Sequence, residues 1–457
     1  LVGGSTNGGS TAVGSGGSTG GQTVTTSPAN DSPGQNPFTR SAGSGILITS
    51  SDGLNGIDLY LAADSKGGMF VAGATRNPQA MGLAAFDAGI ESEAFASRLD
   101  AQGKMLWAVP LKTCGVPADI AAGPDDTVFV LCPYEPDFTT VSTATCTDAA
   151  VVDKLSGTDG KLLFEVQVKI PSQPADAGLC PYGLGVDSQG RSYVGGGYAP
   201  TFPVMRSFLV GITAAGRQDW ALVSDGPAPD PTSDTATSYV TDVDVDSKGN
   251  VLFTGAFNTW TQWGTVKLTS QAKSGQWSMY NGFFGRVPAT GTGVTAWRFG
   301  GTVFDDASTV TPTANGGFVV GGWGSGSTNI GGKSFTAPEE GAAFIANITE
   351  AGQATWVKAL PTASITDDVA VGPDGKVYLV GKFANNEILY TYDPASDTLN
   401  PRKTVAGNAT DNEIRTTSVA VSTTGAVWLS GNFKKTINLG TGALSTTTVA
   451  TFLLKID

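Results

Sequence analysis

Three aspartates alternate in "TDVDVDSKGNVLFTGAF", residues 241–257: Asp242, Asp244 and Asp246. Carboxylates at every second position, followed by glycine, raise the chemistry of a calcium loop. Such a loop needs glycine at its sixth position and a bidentate glutamate at its twelfth. Counted from Asp242, those places hold Ser247 and Phe253; counted from Asp244, they hold Gly249 and Gly255. Neither frame closes a coordination sphere. An extended strand puts residues 242, 244 and 246 on one face and Val243 and Val245 on the other. Asp246-Ser247-Lys248-Gly249 has Asp at the first and Gly at the fourth place of a type I turn. The expectation is a hairpin in which "VLFTGAF" returns. Calcium on the three aspartates is the disfavoured alternative, and no cofactor is expected.

Other residues that could do chemistry are few. With 0 histidines, Ser-His-Asp and Cys-His catalysis are excluded, as are histidine-based metal centres. Carboxylate pairs could serve a glycosidase or lyase, and Asp305-Asp306 and Asp367-Asp368 offer them. Both pairs fall where a repeated strand begins, close to the places of Asp119 and Asp242, so a capping or channel-lining role is expected and the chain is read as not an enzyme. Asn347-Ile348-Thr349 and Asn408-Ala409-Thr410 fit the N-glycosylation pattern, without meaning in a bacterial chain. Cys114, Cys132, Cys146 and Cys180 lack CxxC spacing, so two disulfides are expected rather than zinc, with 132–146 and 114–180 preferred among three connectivities. Disulfides imply an oxidising compartment.

The elements that position these residues repeat. The opening hairpin recurs as "AADSKGGMFVAGAT" (62–75), "AAGPDDTVFVLCPY" (121–134), "GVDSQGRSYVGGGY" (185–198), "TANGGFVVGGW" (313–323), "AVGPDGKVYLVGKF" (370–383) and "AVSTTGAVWLSGNF" (420–433). Its landmark column reads Gly73, Cys132, Gly196, Gly255, Gly321, Gly381 and Gly431, about 50 to 66 residues apart, which suits propeller blades. Between these lies a second hairpin, such as "EAFASRLDAQGKMLWAV" (93–109), with an aromatic on its second strand: Trp107, Phe164, Trp220, Trp297 and Trp356. "EILYTYDPASDTLNPRK" (387–403) is a degenerate copy. Two hairpins make one four-stranded blade, so seven blades are expected. The seventh copy, "ATFLLKID", ends the chain one strand short. Trp107 precedes Asp119 by twelve residues; the same count back from Tyr60 lands on Ile48, so residues 45–50 should supply the missing strand and close the ring.

Composition fits this all-β reading: 62 glycines, 15% charged residues and no apolar run approaching the ~20 residues of a membrane span. A net charge of −13 argues against nucleic acid as partner, since phosphates need clustered Lys and Arg. The propeller is expected over residues 41–457. Residues 1–40 are rich in Gly, Ser and Thr, the composition of a tether. "TAVGS" (11–15) and "QTVTTS" (22–27) could instead add to a sheet edge of a second copy, self-association that would build extracellular fibres. The chain starts at Leu1 with neither methionine nor signal sequence and so reads as a processed product.

The run of "FASRLDAQGKMLWAV" into hairpins of the type "AVGPDGKVYLVGKF" resembles the bacterial SBBP-type β-propeller repeat over about residues 45–457. The Gly/Ser/Thr-rich leader resembles those of secreted or lipoprotein-type surface proteins of myxobacteria and their relatives. The resemblance implies a protein outside the cell or on the outer surface of a bacterium, serving as a binding or assembly module for a protein or a surface glycan. A propeller-type carbohydrate-active enzyme using carboxylates is the alternative.

Overall fold

In a computed structural model the chain folds as a seven-bladed β-propeller. The structure describes residues 39–40, 45–48, 58–75, 93–134, 146–171, 173, 177–201, 204–227, 237–272, 280–338, 340–360, 365–383, 387–404, 414–438 and 443–456. Nearly all of the leader and Asn408 lie outside that set.

Blade 4 shows how the sequence makes a blade. Its first strand, Ser238–Val245, pairs antiparallel with the second, Asn250–Phe257; the third, Asn281–Pro288, and fourth, Thr295–Phe299, follow outward. The turn is as expected: the Gly249 N–H donates to the Asp246 carbonyl, and Gly249 sits at φ +81°. The Asp246 carboxylate accepts from the backbone N–H groups of Lys248 and Asn250, which makes it a turn residue. Val243 packs against blade 3 among Tyr193, Leu209 and Phe253, while Asp242 faces blade 5, so the two faces part as the alternation demands. The core lies between blades, in layers of buried Val, Leu and Phe; each such side chain contributes about 1.5–3 kcal/mol.

The glycine column has a packing cause. Opposite Gly73, Gly196, Gly255 and Gly431 the third strand carries Phe95, Phe208, Phe283 and Phe452. A Cβ at Gly196, Gly255 or Gly431 would stand under 3.0 Å from both the ring and a first-strand carbonyl. In blade 5 the residue opposite Phe344 is Gly322, so the column runs through Gly322 and not Gly321. Blade 2 has Val151 opposite Cys132 instead of a ring, which leaves room for the cysteine.

Closure occurs where expected. Gly45–Ile48 pairs antiparallel with Ala443–Ile456 and supplies the fourth strand of blade 7, and Thr39–Arg40 adds a short fifth. The register differs from the count. Leu47 lies opposite Phe452 as Pro110 lies opposite Phe95, so Ile48 sits beyond the place of Trp107. The connection from Ile48 to Tyr60 is longer than that from Pro110 to Asp119, on which the count was based, so the count overshoots along the strand.

The four cysteines form two disulfides, Cys114–Cys132 and Cys146–Cys180, which replaces the expected 132–146 and 114–180. The approach to blade 2 runs beside the end of that blade's second strand, with Cys114 bridged to Tyr134, and this brings Cys114 to Cys132 at 5.2 Å between Cα atoms. Thr147 bridges Leu179 in the same way and delivers Cys146 to Cys180. The pairing fits a non-cytoplasmic compartment. No described helix is long and apolar enough to cross a membrane.

Candidate functional site: the channel and its aromatic mouth

The first strands of all seven blades surround a central channel of about 370 Å³. Each exposes an unpaired backbone edge to it, and in blades 3 to 7 a β-bulge interrupts that strand. Three aspartates use the freed N–H groups. Asp119 of blade 2 accepts from its neighbour Ile120 (2.7 Å) and from Leu184 of blade 3 (2.7 Å). Asp242 of blade 4 accepts from Val243 (2.7 Å) and Val310 of blade 5 (2.8 Å). Asp368 of blade 6 accepts from Val369 (2.7 Å) and Val419 of blade 7 (2.8 Å). Each carboxylate therefore staples its own strand to the next. The equivalent N–H on Leu61 of blade 1 donates instead to Ser418 Oγ of blade 7 (3.3 Å).

Asp244 differs. It aligns with Ala62, Ala121, Gly185, Ala370 and Ala420, and among the described residues its carboxylate accepts only from Val245 N–H (2.7 Å). Burial, reinforced by Asp242 and Asp368, pushes its carboxyl up to about 7. Asp368 is also pushed to about 7, first by burial and then by Asp242, and Asp119 and Asp242 are raised by burial. Asp242, Asp244 and Asp246 thus divide into a staple, a channel carboxyl and a turn cap. Among the described residues no three His, Cys, Asp or Glu side chains gather as a metal site would require.

The two sequence pairs of carboxylates separate, because neighbours on a strand point to opposite faces. Asp305 turns into the fold, where it accepts from Gly301 N–H (2.8 Å) and from the Thr328 hydroxyl; burial pushes it to about 6. Asp368 enters the channel. Asp306 and Asp367 remain at the mouth, brought together from adjacent blades. Asp367 forms a bidentate ion pair with Arg415, Nε at 2.8 Å and the second guanidinium nitrogen at 2.6 Å. Burial, with Asp305 and Asp367 adding to it, pushes Asp306 up to about 7. Asp58 joins the cluster through Asn432 (2.8 Å) and is raised by burial.

Beside these carboxylates lies an arc that sequence reasoning missed. Tyr182, Tyr239, Tyr280, Phe304 and Trp323 are each half-exposed, with successive ring centroids 6.2, 6.1, 5.6 and 5.1 Å apart. A signal existed. Pairing places Cys180, Tyr239, Asp306, Ile365 and Arg415 at one repeat position, where a scaffold would repeat one residue type. Chemically the mouth offers a stacking platform beside carboxylates in two states, one protonated near neutrality and one held by a guanidinium.

The class defined by this architecture is the seven-bladed β-propeller with an acidic channel. No family model matches the chain, and no curated protein matches its sequence. Solved structures do. A streptogramin B lyase is 13% identical, with 90% of this chain and 97% of that one covered and a TM-score of 0.48. An inactivated virginiamycin B lyase from Staphylococcus aureus, solved with quinupristin, is 12% identical, covering 90% and 98%, with a TM-score of 0.47. A puromycin hydrolase is 13% identical over 87% of this chain and 54% of that one, with a TM-score of 0.44. Such likenesses speak for the fold alone, and the repeat-family resemblance is supported no further than the propeller itself. They correct one expectation. Propellers of this kind include a lyase and a hydrolase, so the reading of the chain as not an enzyme is withdrawn; missing histidine and repeating aspartates do not exclude catalysis on this scaffold.

Proposed function

We propose that the protein is an exported binding module of a bacterial surface that takes a glycan at the channel mouth, with a preference for sugars bearing a protonated amine. The observation that carries this reading is the arc of five half-exposed rings next to Asp306 and the Asp367–Arg415 pair. Pyranose rings lie flat on such platforms, and the carboxylates accept from hydroxyl or ammonium groups. The chain carries −13 overall and the mouth's one guanidinium, Arg415, is already paired with Asp367, so uronic-acid glycans are disfavoured. Calorimetry with glucosamine, neutral and uronic-acid oligosaccharides tests the ranking. Glucosamine oligomers should bind best, and Trp323→Ala should remove binding; no saturable binding of any of the three ends the proposal.

A second reading is carbohydrate cleavage at the same mouth. Asp306, holding its proton near neutral pH, has the character of a general acid, and the salt-bridged Asp367 that of a base or nucleophile. Asp306→Asn should then abolish turnover and leave binding in place. Residues 1–40 are assigned the part of a tether. Fibres that sediment with the full chain and vanish when that segment is removed would make it an assembly strand instead.

A further inference from the structure

The face opposite the mouth, formed by the turns between first and second and between third and fourth strands, carries a repeated lock between blades. The aromatic on the fourth strand of blades 1 to 4 lies over a glycine in the third turn of the next blade: Trp107 over Gly160, Phe164 over Gly216, Trp220 over Gly291 and Trp297 over Gly352. All four glycines have positive φ, between +72° and +76°, and a Cβ on any of them would stand under 3.0 Å from the ring. Two indole N–H groups complete the lock on turn carbonyls: Trp107 to Gly157 (2.7 Å) and Trp220 to Ala289 (2.9 Å).

Between blades 5 and 6 the lock fails. The turn of blade 6 is Asp393-Pro394-Ala395-Ser396-Asp397, and Asp397 occupies the left-handed position at φ +56°. Its side chain forbids the stacked arrangement. Trp356 lies instead against Tyr392, ring centroids 4.5 Å apart, and Asp397 is held by Lys358 (2.6 Å) and the Tyr392 hydroxyl (2.7 Å). Where the lock is missing, a cavity of about 990 Å³ opens, with half-exposed Trp356 in its wall. Its volume is that of a small-molecule site.

We propose that this cleft is a second binding site, and that it takes a neutral oligosaccharide. The lining supplies what such a ligand needs. Trp356 gives an aromatic wall, and its indole N–H makes no hydrogen bond among the described residues. Asn315, Asn347, Thr349 and Thr355 present amides and hydroxyls, the Asn347 amide donating to Thr355 Oγ1 (2.8 Å). The one charged residue in the lining, Glu350, is neutralised by Lys248 and by Arg286 (3.3 Å). A charged ligand would find no free counter-charge; a polyhydroxylated neutral one finds both donors and acceptors. The cleft shares Val371 and Val421 with the wall of the channel, but none of the aromatic or acidic residues of the mouth lines it.

The test uses the whole protein and cellohexaose or maltohexaose, followed by calorimetry and tryptophan fluorescence. Saturable binding with a change in tryptophan emission is expected, and Trp356→Ala should weaken it at least about tenfold. Asp397→Gly is the decisive variant. It restores the lock glycine, so it should remove binding while leaving the melting temperature unchanged or higher. Binding by Asp306→Asn should be undiminished, which separates this site from the mouth. Absence of binding by the native protein, undiminished binding by Asp397→Gly, or binding of extended peptides in preference to neutral sugars each overturns the proposal.

Discussion

Replacing Asp244 by alanine should make the protein more stable at pH 8 and leave it nearly unchanged at pH 4.5. A carboxyl that keeps its proton to about 7 in the fold, against 3.8 in the open chain, binds that proton more tightly when folded. Its favourable contribution is complete below the open-chain value and is lost as pH rises toward 7. For a group sealed from water the loss over that interval is about 4 kcal/mol. Asp244 borders a channel with about 370 Å³ of space, enough for water, so about 1–2 kcal/mol is the realistic magnitude. Alanine removes this penalty and takes a like charge away from Asp242 and Asp368. The cost is one acceptor for the Val245 N–H, which channel water can replace, as the alanines aligned with Asp244 in blades 1, 2, 6 and 7 imply. Urea unfolding at the two pH values, followed by tryptophan fluorescence, measures the difference. A variant less stable than the parent at pH 8, or one with the parent's full loss of stability between pH 4.5 and 8, refutes the reasoning. Calcium that raises the melting temperature of the parent and not of the variant would restore the metal reading of these aspartates.

Three further outcomes are expected. Gly255→Ala should cost about 2–4 kcal/mol in denaturant titration, because its Cβ meets both Phe283 and the Tyr239 carbonyl; a cost below about 1 kcal/mol would mean the blade relaxes freely. Peptide mapping without reductant should recover Cys114 joined to Cys132 and Cys146 joined to Cys180. With sequence separations of 18 and 34, loss of either bond should cost about 3 to 4 kcal/mol. Deleting residues 41–52 should lower stability by roughly 3–6 kcal/mol, since Ala443–Ile456 then becomes an open edge; an unchanged melting point would contradict closure by Gly45–Ile48.

Much of the fold was legible because one hairpin recurs with a landmark. The pairing of Val245 with Val251, the Asp246 turn and the closing strand all follow from repeat copies read against each other. Blade 5 has two adjacent glycines, Gly321 and Gly322, and only the ring of Phe344 across the strand tells which belongs to the column. The candidate site was less legible. Asp305-Asp306 and Asp367-Asp368 look like pairs in one dimension, yet a strand sends neighbours to opposite faces, and the meaningful pairing of Asp306 with Asp367 crosses blades. Tyr280 and Phe304 lie in connections that the repeat does not describe, so periodicity had no purchase on them. The disulfides depended on the path of a connection, which spacing does not encode.

The stapling aspartates obey a rule of parity. Carboxylates on blades 2, 4 and 6 serve receivers on blades 3, 5 and 7, a scheme that consumes blades in twos. Seven is odd. One blade must be left without a partner, and the ring meets that necessity at blade 1, where a serine hydroxyl stands in for the carboxylate. The one receiver served by a hydroxyl therefore lies at the seam where the first and last strands of the propeller come together to complete the outer sheet. A circularly permuted chain opened between blades 4 and 5 would open the ring at the Asp242 staple, whereas the seam between blades 7 and 1 carries no carboxylate staple. Six or eight blades could have satisfied the alternation without remainder; an odd ring leaves one receiver over, and here it is Leu61 of blade 1.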